Sequence, residues 1–259
     1  MNDKQWNSFC SFRDAFKAKA LEWSSRIENL AELQKKAALA AKTPEYPFEN
    51  AVVYNTDLDK ITKADDIRLL VIGDNPGKDE QLNKNCRYLC GQAGKIADGF
   101  FKRNPALGID FRKNVIILNK TPVHSAKTAQ LRLIMKEGGP KVCDLILESQ
   151  LWMAEHTAEL LKNLEQAELW LVGYSELKGK GFFVPYRDQL KKTACGSGKE
   201  KTREATWQRV FVFQHFSMNR FTIDLADFVK QNGLDKKPLI EQLHLLGELH
   251  KKEIFEKQD

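Results

Sequence analysis

Four short runs of uninterrupted apolar residues punctuate the chain: Leu69 to Ile72, Val115 to Leu118, Leu169 to Val172 and Val210 to Phe213. Each is too short for a helix and rich in branched or aromatic side chains. Continuous rather than alternating hydrophobicity predicts strands covered on both faces, as in a parallel sheet. Elsewhere apolar residues recur at spacings of three and four, which predicts helices over about 92–103, 141–164, 223–231 and 237–257. Leu239, Leu243 and Leu246 mark one face of the last. Ahead of the first strand, Phe9, Phe12, Phe16, Ala20, Trp23, Ile27 and Leu30 form a single stripe. It predicts one long amphipathic helix within residues 1–45, covering the sheet or a partner. Residues 43–66, with Pro44 and Pro47, read as turns. Strands alternating with helices predict a three-layer α/β/α sandwich around a central, mainly parallel four-stranded sheet. The expected organisation is one domain over 1–259, with residues 222–259 as its C-terminal helices.

Composition narrows the class. With 29% charged and 42% hydrophobic residues, the chain is neither disordered nor collagenous. No apolar run approaches the ~20 residues that span a bilayer, and Arg13, Lys17 and Lys19 interrupt any signal-peptide core. Five scattered cysteines, an odd number, point to a reducing interior. A cytoplasmic monomer without membrane contact is expected. The net charge of +6 is concentrated: between Glu176 and Val210 nine Lys/Arg face four Asp/Glu. Residues 182–209 therefore read as a basic insertion, either a loop facing nucleic-acid phosphates or one that is merely solvated.

Ligand sites in open α/β sheets gather beyond the carboxyl ends of the strands. There the sequence places Gly73-Asp74-Asn75-Pro76-Gly77, Asn119-Lys120-Thr121-Pro122, Gly173-Tyr174-Ser175 and Gln214-His215-Phe216-Ser217-Met218-Asn219-Arg220. The first is no P-loop: its glycines are one residue too close, and Asp79 stands where Ser or Thr should hold magnesium.

These segments resemble the motifs of the uracil-DNA glycosylase superfamily, in order, from about Asp57 to Phe221. Gly73-Asp74-Asn75-Pro76-Gly77 is similar to its first motif, in the Asn-Pro-Gly form. Leu89-Cys90-Gly91-Gln92-Ala93-Gly94-Lys95 resembles the stacking loop and helix of the thermophilic, iron–sulfur branch. Ile116-Ile117-Leu118-Asn119 resembles the strand ending in the base-reading asparagine. Leu171 to Gly181 resembles the segment before the last strand, and His215-Phe216-Ser217 the final His-Pro-Ser loop, with Phe216 in place of proline. The iron–sulfur cysteines have no counterpart here. Cys86, Cys90, Cys143 and Cys195 match neither that branch nor a zinc site, so no metal and no cofactor are expected.

The resemblance implies excision of uracil, or a related deaminated base, from single- or double-stranded DNA after base flipping. Asn119 would read the base edge, because a carboxamide offers a donor and an acceptor side by side. His215 would stabilise charge developing on O2, and Asn75 would orient the attacking water. Asp74, beside it, is expected to point away or cap a turn. Two registers compete for the stacking position, Tyr88 and Leu89, and stacking itself favours the aromatic Tyr88. Gly73 and Gly77 would lie against the base, Gly77 without the tyrosine wall of the most uracil-restricted branch. Met218 would be either a wedge in the vacated stack or ordinary core. Ser217, Arg220, Lys120, Lys178 and Lys180 would contact DNA phosphates. Two alternatives stay open: a hypoxanthine or xanthine glycosylase, and a non-catalytic nucleic-acid-binding homologue.

Overall fold

The four apolar runs form strands β1 (Leu69–Gly73), β2 (Val115–Asn119), β3 (Glu168–Val172) and β4 (Val210–Phe213). We describe them in a computed structural model over residues 1–196 and 200–256, leaving aside the side chains of 200–203. Every strand pairing is parallel, in the order β2-β1-β3-β4, with Val71 opposite Ile117 and Trp170, and Trp170 opposite Phe211. Helices cover both faces, so almost no strand position meets water, which is why the runs lack polar interruptions.

Strand order dictates which helix lies on which face. A right-handed crossover from β1 to β2 puts α3 (Gln92–Arg103) on one side. The crossovers from β2 to β3 and from β3 to β4 run the opposite way. They put α4 (Gln130–Asn163), α5 (Val184–Gly196) and α6 (Glu200–Gln208) on the other side. After β4, α7 (Arg220–Asn232) and α8 (Leu239–Phe255) return to the face of α3. Trp170 stacks there on Phe101 and Phe221, with ring centres 5.6 and 5.8 Å away.

Three elements differ from expectation. The N-terminal stripe belongs to two helices, α1 (Asp3–Arg26) and α2 (Leu30–Ala40), both packed on α4. The chain turns extended at Ile27, yet Ile27 and Leu30 remain buried. A stripe records what is covered, not whether the axis is straight. Second, a further helical segment precedes the one expected from about 141: the span α4 begins at Gln130 and is broken at Gly139, whose φ of 67° is not helical. The second segment starts at Pro140, because proline suits the first turn of a helix, so Gly-Gly-Pro marks the start that the periodicity predicts.

The third difference concerns the basic insertion. Residues 184–196 and 200–208 are helical, not a loop, and several of its cations are committed to carbonyl groups. Arg187 is nearly buried and donates to Leu177 O at 2.9 Å, while Lys191 donates to Phe255 O at 3.1 Å. Arg209 donates to Leu161 O at 2.9 Å, to Leu164 O at 2.8 Å and to Ala167 O, closing the carboxyl end of α4. Lys199 and the side chains of Lys201 and Arg203 lie outside the described residues. Among the described residues no helix is long and apolar enough to cross a membrane.

Since Arg209 satisfies three carbonyls at once, Arg209→Ala is expected to cost about 1–3 kcal/mol of stability. A lower midpoint in urea unfolding, with an unchanged slope, is the result that checks it.

Candidate functional site

Between β1 and β3 the direction of the crossovers reverses, and open parallel sheets bind ligands beyond the strand ends at such a point. A cavity of about 800 Å³ opens there, lined from all four strand ends and from α7. That is the size of a small-molecule site, which spans roughly 300–1,000 Å³.

Beneath it lies Lys120, expected on the DNA surface but wholly buried. Its Nζ donates to Val172 O at 2.5 Å and Gly73 O at 3.3 Å, and pairs with Asp74 Oδ1 at 2.5 Å. Lys120 follows β2, the outer strand next to β1, and its long side chain reaches inward across the ends of β1 and β3 instead of out to solvent. Burial lowers its pKa against the pull of Asp74. Asp74 does not point away. Its carboxylate lines the cavity, and Oδ2 accepts from Thr128 Oγ1 at 3.3 Å.

Asn75 also lines the cavity, with its carboxamide held at both ends. Nδ2 donates to Ser125 O and Oγ at 3.0 and 2.9 Å, and Oδ1 accepts from Thr128 Oγ1 at 3.1 Å. The Pro76 carbonyl behind it accepts from Ser125 N at 3.2 Å and from His124 Nδ1 at 2.8 Å. Because a carbonyl only accepts, His124 carries its proton on Nδ1, and Nε2 accepts from Tyr46 Oη at 3.0 Å.

Asn119, at the end of β2, is 2% exposed, and its Nδ2 is buried without a hydrogen-bond partner. Its Oδ1 lies over Gly73, where a Cβ would come within 2.4 Å, so only glycine lets the amide rest there. At Gly77 a Cβ would meet nothing within 4 Å, which leaves that wall open.

His215 lines the opposite side and is half-buried. Ser217 N donates to its Nδ1 at 3.0 Å, so the neutral ring carries its proton on Nε2. Burial, with a smaller contribution from the Lys120 charge, holds its pKa below the ordinary value against the attraction of Asp74. Phe216, where the resembled motif has proline, has φ of −65°, the angle proline itself imposes. Its ring is buried against Phe221, centre to centre 4.7 Å, which anchors the loop from inside.

Of the two candidates for stacking, only Leu89 lines the cavity. Tyr88, the aromatic that stacking favours, is fully buried away from it, and its hydroxyl donates to Val53 O at 2.5 Å. Leu89 lines the cavity in a left-handed conformation, φ 47°. Arg112 binds both carbonyls, and Gly94 lies so close that a Cβ would fall 1.5 Å from Leu89 O. Turning at Leu89 reverses which neighbour faces inward, and no spacing rule in the sequence reveals that.

At the rim Ser217, Met218 and Arg220 are exposed. Met218, 79% exposed, is not core; with Asn219 it forms a pair of left-handed residues, φ 54° and 57°. Lys178 and Lys180 are exposed on the turn after β3, outside the cavity wall. The lining itself holds six carboxylates (Asp74, Asp79, Glu80, Glu176, Asp224, Asp227) against Lys78, Lys127 and Arg220. It suits a neutral group, so attraction for a polyanion falls to cations around it. Sequence reasoning missed Glu80, His124, Ser125 and Thr128, none of which stands in a distinctive pattern. Among the described residues no cluster of three His, Cys, Asp or Glu is placed to hold a metal. The chain matches no protein-family model, no curated protein and no solved structure.

Breaking the buried pair with Lys120→Ala should cost roughly 3–5 kcal/mol, measurable by urea unfolding. A pH dependence follows from His124, which burial pushes down to about 4 from 6.5. The unfolded chain takes up this proton first as pH falls. The contribution is therefore intact above 6.5 and lost between 6.5 and 4, about 3 kcal/mol in all. Urea unfolding across that window should show a shallower loss for His124→Gln than for the natural chain.

Proposed function

We propose that the protein is a metal-independent DNA glycosylase with a uracil-DNA glycosylase-like fold, hydrolysing the N-glycosidic bond of uracil or a related deaminated base. One observation carries the reading. A buried, unpartnered carboxamide (Asn119) and a neutral imidazole with its proton on Nε2 (His215) line one cavity at the switch point of the sheet. The first suits the edge of a flipped base, and the second an oxygen that gains charge as the base departs.

The reaction breaks the bond between sugar C1′ and the base nitrogen, and the bonding electrons pass onto the base. His215 Nε2–H donates to O2, where that charge collects. Asp74 Oδ2 and Asn75 Oδ1 lie 3.3 and 3.1 Å from Thr128 Oγ1, whose single proton serves one of them at a time, and these neighbouring acceptors would hold the attacking water. That water adds to C1′, and its proton goes to the Asp74 carboxylate. Neutral Asn75 orients the water with its one acceptor oxygen, its Nδ2 being held by Ser125, while Asp74 supplies the base. Leu89 closes the pocket on the ring face. Met218 fills the gap left in a duplex, and Arg220, Lys178 and Lys180 meet phosphates around the acidic lining. The open wall at Gly77 favours a second reading, in which a deaminated purine enters the same site.

Base release from oligonucleotides carrying uracil, hypoxanthine or xanthine, read as alkali-sensitive sites, tests this. His215→Ala should slow release by about 10²–10³, the worth of one oriented donor, and Asn75→Ala should slow it while DNA affinity persists. Release of a purine alone keeps the mechanism and moves the specificity. Tight binding without release from any substrate sinks catalysis and leaves a binding module. Met218→Ala should impair duplex substrates and spare single strands.

A further inference from the structure

Exposed cations stand on both flanks of the cavity. In the strand order β2-β1-β3-β4, Lys127 and Lys78 follow β2 and β1, while Lys178, Lys180 and Arg220 follow β3 and β4. A DNA strand whose flipped base enters between them continues past Lys78. Beyond Lys78 lies segment 43–50, which carries Tyr46 and Phe48.

Two buried carboxamides hold that segment in place. Gln81 Nε2 donates to Pro47 O at 2.7 Å and to Lys78 O at 2.9 Å, while its Oε1 accepts from Glu49 N at 2.6 Å and Asn50 N at 3.0 Å. Gln34 Nε2, from α2, donates to Ala51 O at 2.9 Å and His124 O at 2.8 Å. On this frame Tyr46 and Phe48 both meet the ring of His124, centre to centre 5.7 and 5.4 Å. The two rings are fixed, yet both stay partly exposed. Lys78 Nζ lies 5.8 Å from the Tyr46 ring centre, and Lys35 Nζ lies 5.3 Å from that of Phe48. Both lysines are exposed, and among the described residues neither joins an ion pair. Glu49, next to Phe48 in the chain, turns its carboxylate to Asn83 N.

We propose that Tyr46, Phe48, Lys35 and Lys78 form a subsite for single-stranded DNA, where bases beside the flipped one stack on the rings and their phosphates take the ammonium groups. That the flipped base lies in the cavity rests on the glycosylase reading; stacking on the two rings does not need it. Every base has a π face, so such a platform accepts any sequence, and a cation beside each ring serves the backbone. An exposed ammonium over a ring is weakly held, so it moves to a phosphate and uncovers the face. Rings ordered before DNA arrives lose little freedom on binding. In a duplex the base faces are already stacked on their neighbours, so the subsite favours single strands.

The test measures affinity for an undamaged oligothymidylate of about 12 nucleotides, a length within the range of such sites. It is joined by photo-cross-linking of the natural chain to the same strand carrying 4-thiothymine. Cross-links should map to Tyr46 or Phe48. Phe48→Leu, which keeps an apolar side chain and loses the π face, should weaken binding about tenfold, the worth of one stacked base. Tyr46→Ala should do the same, and Tyr46→Phe should restore the affinity. Lys35→Gln should lower the slope of log affinity against log salt by about 0.7, one phosphate contact. Cross-links confined to other segments overturn the proposal, and this needs no variant to fold. Equal affinities of the natural chain, Phe48→Leu and Tyr46→Ala overturn it as well. If the natural chain binds no single strand but releases uracil from a duplex, the subsite falls and the glycosylase reading stands. If the strand binds through the two rings and no base is released from any substrate, the subsite stands and the glycosylase reading falls.

Discussion

A lysine ammonium shut away from water is tolerated only where its donors are satisfied and its charge is balanced, and Lys120 meets both conditions. Its partners are Gly73 O at the end of β1, Val172 O at the end of β3 and the Asp74 carboxylate, while Lys120 itself follows β2. One side chain thus fixes three strand ends relative to one another. The loops that build the cavity start from those ends, so the positions of Asn75, Asn119 and Asp74 depend on it. Removing the charge would leave Asp74 with an unbalanced anion where a neutral ligand is expected.

Around that bolt, polar groups are held by partners that specify their state. His124 and His215 are both kept neutral by burial, yet in opposite tautomers. The Pro76 carbonyl demands a proton on His124 Nδ1, and the Ser217 N–H demands a lone pair on His215 Nδ1. The first histidine supports the wall, and the second is left with a donor to offer. Asn75 is oriented by Ser125 and Thr128, whereas Asn119 keeps an unsatisfied amide. An orphan donor in a dry site weighs against stability, and it is the group best suited to a ligand.

The strands and their parallel pairing were legible almost to the residue, because burial on both faces leaves an uninterrupted apolar run. Helix α3 was legible to the same degree. The N-terminal stripe was read as one helix, since periodicity is blind to a turn that keeps the buried side buried. The insertion was misread because lysine and arginine look alike in sequence whether they face water or close a helix, as Arg209 does for α4. Asn75, Asn119 and His215, singled out by their places after strands, all line the cavity. Leu89 lines it and Tyr88 does not, because the left-handed turn at Leu89 decides which side chain faces inward.

Local order along the chain, then, determined the α/β class, the number of strands and the edge where chemistry-bearing residues gather, because these follow from hydrophobic periodicity. Tertiary structure alone decided that Lys120 lies under the cavity and not on its rim, that Asp74 faces inward, and that Glu80 lines the same cavity as Asn119. The reason is physical: the contacts of Lys120 with Asp74 and Val172 join residues 46 and 52 positions apart, through side-chain reach and backbone turns that leave no periodic trace.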